Sequence, residues 1–127
     1  MKENPSRPAT PSAAAGQLKA RDLAPSELDE FMLKVIAEDF IQPEALEIVL
    51  PLYHELVAAT RQEPLCIAYD LFVDQKDSGH FIFIEEWPDR AALDIHCASE
   101  HFRRLVPLIN AHQRKEGTFI LMDAFPA

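Results

Sequence analysis

His80-Phe81-Ile82-Phe83-Ile84-Glu85-Glu86-Trp87 decides the fold, because both of its alternating faces carry large apolar side chains. A run this rich in β-formers reads as a strand. The preceding run, Leu65 to Val73, reads the same way, with Cys66 and Ala68 on one face and Ile67, Tyr69 and Leu71 on the other. Between them, Asp74-Gln75-Lys76-Asp77-Ser78-Gly79 has the composition of a turn, so the two strands form a hairpin.

Outward from this hairpin the chain alternates. Phe31-Met32-Leu33-Lys34-Val35-Ile36-Ala37 is read as a first strand. Pro43 then opens a helix, since its missing N–H is not needed in a first turn. Leu46, Val49, Leu50, Tyr53, Val57 and Thr60 follow at helical spacing, with Glu44, Glu47, Glu55 and Gln62 away from that stripe. Pro51 is expected to kink this helix and Pro64 to end it. After the hairpin, Pro88-Asp89 opens a second helical region. Ala92, Leu93 and His96 fall on one phase, and Phe102, Leu105, Val106 and Ile109 on another. Ser99 is suited to cap a fresh start, so the region should break between Ala98 and Glu100. Gly117 then leads into a last strand, Thr118 to Phe125. The order βαββαβ implies an α+β, ferredoxin-like unit with a four-stranded antiparallel sheet.

Right-handed crossovers place both helical regions on the same face of such a sheet. A sheet covered on one side alternates apolar with polar, and this one does not. A second copy packed sheet to sheet would cover the other face. A homodimer is therefore expected.

Residues 1–30 form a Pro/Ala-rich tail that includes Pro5, Pro8, Pro11 and Ala13-Ala14-Ala15. With so little apolar surface it cannot offset its ordering entropy, and is expected to be disordered or loosely docked. One helical turn is conceivable over Pro25 to Glu30. The domain proper is placed at residues 31–125.

Bulk properties exclude several function classes. With 12 Lys and Arg against 21 Asp and Glu, the net charge of −9 repels phosphate backbones and anionic lipid. No apolar run is long enough to cross a membrane and no secretory leader opens the chain, so a cytoplasmic protein with neither nucleic-acid nor membrane partners is expected. Cys66 and Cys97 form no C-x-x-C pair. Only Gly16, Gly79 and Gly117 are present, too few for a dinucleotide or phosphate loop. His96 and His101 stand five apart, not at the i, i+4 spacing that aligns two ligands on one helix. Neither metal nor organic cofactor is expected.

Two segments carry a resemblance. Ala59-Thr60-Arg61-Gln62-Glu63-Pro64-Leu65-Cys66-Ile67-Ala68-Tyr69-Asp70-Leu71 resembles a helix-to-strand segment of the antibiotic biosynthesis monooxygenase-like (ABM) family. Glu85-Glu86-Trp87, followed by Ala92-Leu93, His96, Ser99 and His101-Phe102, is similar to that family's central signature. The resemblance spans Phe31 to Asp123 and implies a dimeric α+β barrel. Leu65-Cys66 departs from the family's common Gly-Cys, which puts the backbone turn there in question. The haem-degrading branch matches poorly, since its Asn, Trp and iron-binding His correspond here to Asp39, His96 and Val106.

His96, on the apolar side of the early helical piece, is the first candidate for chemistry. An imidazole there can serve as a general base, or can simply hydrogen-bond a carbonyl at the helix break. Tyr69 is a candidate hydrogen-bond donor to substrate. Trp87, Phe102 and Phe83 are candidate walls for a flat ligand, and each is equally at home in a core. Glu85 lies on the same strand face and is either solvated or a buried acid needing a partner. His101 is a weaker binding candidate and a natural helix cap; His54 and His112 fall near solvated faces. The resemblance implies a cofactor-independent monooxygenase that oxidises a quinol or polyhydroxylated aromatic with O2. A non-redox isomerase of a small carbonyl compound and a non-catalytic ligand-binding protein are the alternatives.

Overall fold

The computed structural model describes residues 32–126, so the tail and the possible turn over Pro25–Glu30 lie outside the described residues. Strand β1 (Leu33–Ile41) leads through a short 3-10 turn (Pro43–Ala45) into helix α1 (Leu46–Arg61). Strands β2 (Ala68–Asp74) and β3 (Asp77–Trp87) make the hairpin. Helices α2 (Arg90–Cys97) and α3 (Glu100–Asn110) precede β4 (Gln113–Asp123). The sheet is antiparallel with order β2-β3-β1-β4, and the fold is ferredoxin-like α+β.

Element existence and order follow the expectation; the boundaries shift for local reasons. β1 extends to Ile41 because it pairs with both β3 and β4 over most of that length. The polar residue Asp39 stays in the strand because Tyr53 of α1 donates a hydrogen bond to its Oδ2 at 2.7 Å. In α1 the buried stripe is Val49, Tyr53, Leu56 and Thr60, whereas Leu50 faces outward. With Val49 and Tyr53 inward, Leu50 is rotated roughly 100° away and Leu56 takes the next inward turn. The helix runs through Pro51, whose outward position leaves the Glu47 carbonyl to solvent.

The hairpin is tighter than a six-residue turn, since Asp74 pairs directly with Asp77 across Gln75-Lys76. Asp74 accepts from the Lys76 N–H and Asp77 from the Gly79 N–H, which tightens both shoulders. Gly79 lies against the end of β1, where an added Cβ would fall 2.3 Å from the Ile41 carbonyl oxygen. β4 begins at Gln113 and holds Gly117 within it, opposite a register shift between Glu38 and Phe40. The helical region breaks where expected, with the Ser99 hydroxyl accepting from the Phe102 N–H.

One face of the sheet packs under the helices. Val35, Tyr69, Phe81, Phe83, Glu85 and Trp87 point that way and are buried with Leu56, Leu93, Leu105 and Ile109. The opposite face carries a row in which Ile36 pairs with Ile84 and Ile120, flanked by Ile82 and Phe72. Ile120 and Phe72 remain 57% and 52% exposed, so nothing among the described residues covers this row. No described helix is long and apolar enough to cross a membrane.

Candidate active site

Between the helix-covered sheet face and α1, α2 and α3 lies a cavity of about 470 Å³. That size suits a small organic ligand. Of the residues singled out from sequence, His96, Tyr69, Glu85, Phe83 and Phe102 line it. Trp87 and His101 do not line it and stand behind His96. Trp87 is fully buried with its ring centroid 4.8 Å from that of His96, and its Nε1–H donates to Glu85 Oε1 at 3.0 Å.

His96 is 1% exposed and wedged among aromatic rings. Tyr69 and Phe102 meet it edge-on at 5.2 and 5.0 Å. Its Nδ1 lies 2.7 Å from Glu63 Oε2, and His101 Nε2 lies 2.6 Å from the same oxygen. Glu63 is brought there by a turn in which its carbonyl accepts from the Cys66 N–H at 3.1 Å. Pro64 occupies the second position of that turn, where its fixed φ suits, and the turn forms without the family's glycine. Ser99 ties the second side, donating to the His96 carbonyl at 2.6 Å and lying 3.1 Å from His101 Nε2.

The helix break overturns the spacing argument that kept His96 and His101 apart. Two residues that cannot share a face of one helix converge because they sit on two helices joined at Ala98-Ser99. The ligating atoms of Glu63, His96 and His101 all lie within 4.8 Å of one another, a set that could hold a metal ion. Contacts of 2.6 and 2.7 Å are hydrogen-bond lengths, whereas two ligands about 2 Å from one tetrahedral metal stand roughly 3.3 Å apart. The geometry is that of a carboxylate shared by two imidazoles. With Nδ1–H donated to Glu63, Nε2 of His96 is left as the basic ring nitrogen.

The cavity disfavours buried negative charge. Burial pushes the Glu85 carboxyl up, against the opposing effects of the Trp87 hydrogen bond and His96, while the Glu63 charge adds to the rise. Asp39, at the other end, is raised by burial despite the Tyr53 hydrogen bond. Tyr69 is raised well above the usual phenol, first by burial and then by Glu85, Asp39 and Glu63, so it stays a donor. The Cys97 thiol, also lining the cavity, is pushed to about 11 mainly by burial, which leaves it a poor nucleophile.

Sequence reasoning passed over Glu63, Asp39 and Tyr53 as site residues. Glu63 is 33 and 38 positions from the two histidines it joins, and no spacing rule links them. Asp39 left no clear trace, since it follows Glu38 in a strand that also carries Lys34.

The antibiotic biosynthesis monooxygenase family model matches residues 32–108, from β1 through most of α3. The chain belongs to this family. A crystal structure described as an antibiotic biosynthesis monooxygenase is 82% identical and superposes with a TM-score of 0.74, covering 74% of this chain and 99% of that one. The Bacillus subtilis protein named "Putative monooxygenase YcnE" is 33% identical over 66 residues, 52% of this chain and 70% of its own. The Synechocystis protein sll1783 is also 33% identical over 66 residues, but these are 45% of its length, so the chain spans less than half of that relative. Val106, on α3, is an apolar residue of the cavity wall.

Proposed function

We propose that this ABM protein is a monooxygenase that oxidises a small hydroxylated aromatic of the quinol type with O2, needing neither metal nor flavin. The observation that carries this reading is His96, which lines an aromatic-walled cavity while its Nδ1 is engaged by Glu63. A carboxylate on one imidazole nitrogen fixes the tautomer and leaves the other nitrogen free to take a proton. His96 Nε2 removes the phenolic proton, and the electron-rich phenolate reacts with O2 at a ring carbon bearing hydrogen. One oxygen atom becomes the new quinone carbonyl. The other leaves as water with the phenolic hydrogen and the ring hydrogen, so the substrate supplies the electrons and no external reductant is consumed. Tyr69 donates to a substrate oxygen, and Phe83 and Phe102 hold the ring.

The acting unit in this reading is a homodimer in the cytoplasm, the second copy covering the apolar row around Ile36, Ile84 and Ile120. Support comes from the breadth of that uncovered row on a face the helices do not reach.

Oxygen uptake by metal-free protein against a panel of quinols and naphthols tests the reaction. Saturable uptake falling at least tenfold in His96→Ala is expected. Uptake no faster than the uncatalysed rate on every compound overturns the reading. Oxygen-independent conversion of a carbonyl compound would instead assign an isomerase, and binding without turnover a carrier.

A further inference from the structure

The side chains around the cavity carry one sign of charge. Glu38, Asp39, Glu85 and Glu116 line it, and no Lys or Arg among the described residues does. These four acids are not equivalent. The Glu38 carboxylate turns to the other sheet face, where Thr118 and His80 engage it, and Glu116 is exposed. Glu85 is 6% exposed and uses one oxygen on Trp87. Asp39 has a local partner but no cation among the described residues: Oδ2 accepts from Tyr53, which is neutral. In front of its other oxygen lies Gly117, where a Cβ would come within 3.3 Å of Oδ1. A half-buried carboxyl facing a cavity, with no counter-charge among the described residues, is disfavoured unless something brings the charge.

The walls point the same way. Tyr69, Phe83, Phe102 and Phe119 all line the space, and aromatic faces attract cations. Along β1, Asp39 is four residues from Val35, the partner of Glu85. The two carboxyls are therefore anchored roughly 13 Å apart on the sheet.

We propose that the cavity takes a hydroxylated aromatic amine in its protonated form, with the ammonium at Asp39 and the hydroxylated ring at His96. This names the substrate class of the monooxygenase reading and rests on it for the ring's orientation. Tyr53 positions the Asp39 carboxylate by donating to Oδ2, which leaves Oδ1 for the ammonium. Anionic ring substrates are rejected by the same acids, since no Lys or Arg among the described residues lines the cavity to receive a carboxylate.

Calorimetric titration of the full chain with three matched probes tests this: 4-ethylcatechol, 3,4-dihydroxyphenethylamine and 3,4-dihydroxyphenylacetate. The amine should bind at least tenfold more tightly than the neutral compound, and the carboxylate at least tenfold more weakly. In Asp39→Asn, which keeps an acceptor for Tyr53, the ratio of amine to neutral affinity should fall below about twofold. Equal affinity of amine and neutral probe, tight carboxylate binding, or no binding of any probe overturns the proposal on the unmodified protein alone. A preference that survives Asp39→Asn overturns the role of Asp39. Oxygen uptake is read separately. Amine preference without turnover removes the monooxygenase and leaves the ligand class, whereas turnover of neutral quinols without amine preference does the reverse.

Discussion

At the scale of single residues, the cavity sets acids in surroundings that oppose their ionisation, and this has a measurable sign. Glu85 and Asp39 are raised by burial. A raised folded-state pKa contributes stability that is fully present below the ordinary carboxylate range and is lost as pH rises through the raised value. Glu85→Gln removes one such loss. Its stability relative to the parent should therefore improve between pH 4 and pH 8, as read from denaturation midpoints in parallel titrations. His80, raised by Asp74 and Glu38, adds a loss of the same sign to both proteins, so it cancels in the difference. Glu63 is predicted to act through His96. Glu63→Gln should lower turnover less than His96→Ala, because the glutamine carbonyl can still hold the His96 Nδ1–H and so keep the ring's orientation. Unchanged kinetics in Glu63→Gln would remove it from the mechanism.

At the scale of elements, the junction of α2 and α3 is where fold and site meet. Ser99 caps α3, accepts no backbone bond from α2 but donates into its last turn, and touches His101. Ser99→Ala should cost about 1 kcal/mol from the lost cap. It should also reduce turnover on the same substrate, because the two imidazoles lose their common hinge. Chemical denaturation beside steady-state kinetics separates the two effects. The β2–β3 hairpin sets a steric demand of its own. At Gly79 a Cβ would fall 2.3 Å from the Ile41 carbonyl oxygen, a backbone atom that cannot move without parting β1 from its neighbours. Gly79→Ala should lower the melting temperature more than Ser99→Ala does.

At the scale of the whole molecule, one sheet face is packed under helices and the other presents Ile36, Ile82, Ile84 and Ile120. On the dimer proposal, Ile84→Lys places a charge at the centre of the buried face and should yield monomers by sedimentation velocity at micromolar concentration. A parent protein that is already a compact monomer would end the proposal. Much of this architecture was legible in the sequence. Period-two runs such as Phe81-Ile82-Phe83-Ile84 and the prolines at 43, 64 and 88 mark elements whose identity depends on neighbours a few residues away. Ser99 marked the helix break because capping is equally local. The boundaries were less legible, since β1 and β4 end where their partners end and not where their own composition changes.

The sequence by itself therefore determined the order of elements, the double-faced apolar sheet and the shared strand face of Phe81, Phe83, Glu85 and Trp87. Each of these rests on periodicity or on local chain chemistry. Only the tertiary structure decided that Glu63 joins His96 to His101, that Trp87 stands behind the imidazole, and that Tyr53 holds Asp39 at the far end of the cavity. Those contacts join distant segments through the angle between α2 and α3 and the packing of α1 on β1. Side-chain convergence of that kind depends on how elements pack in three dimensions, and the spacing of residues along the chain carries no record of it.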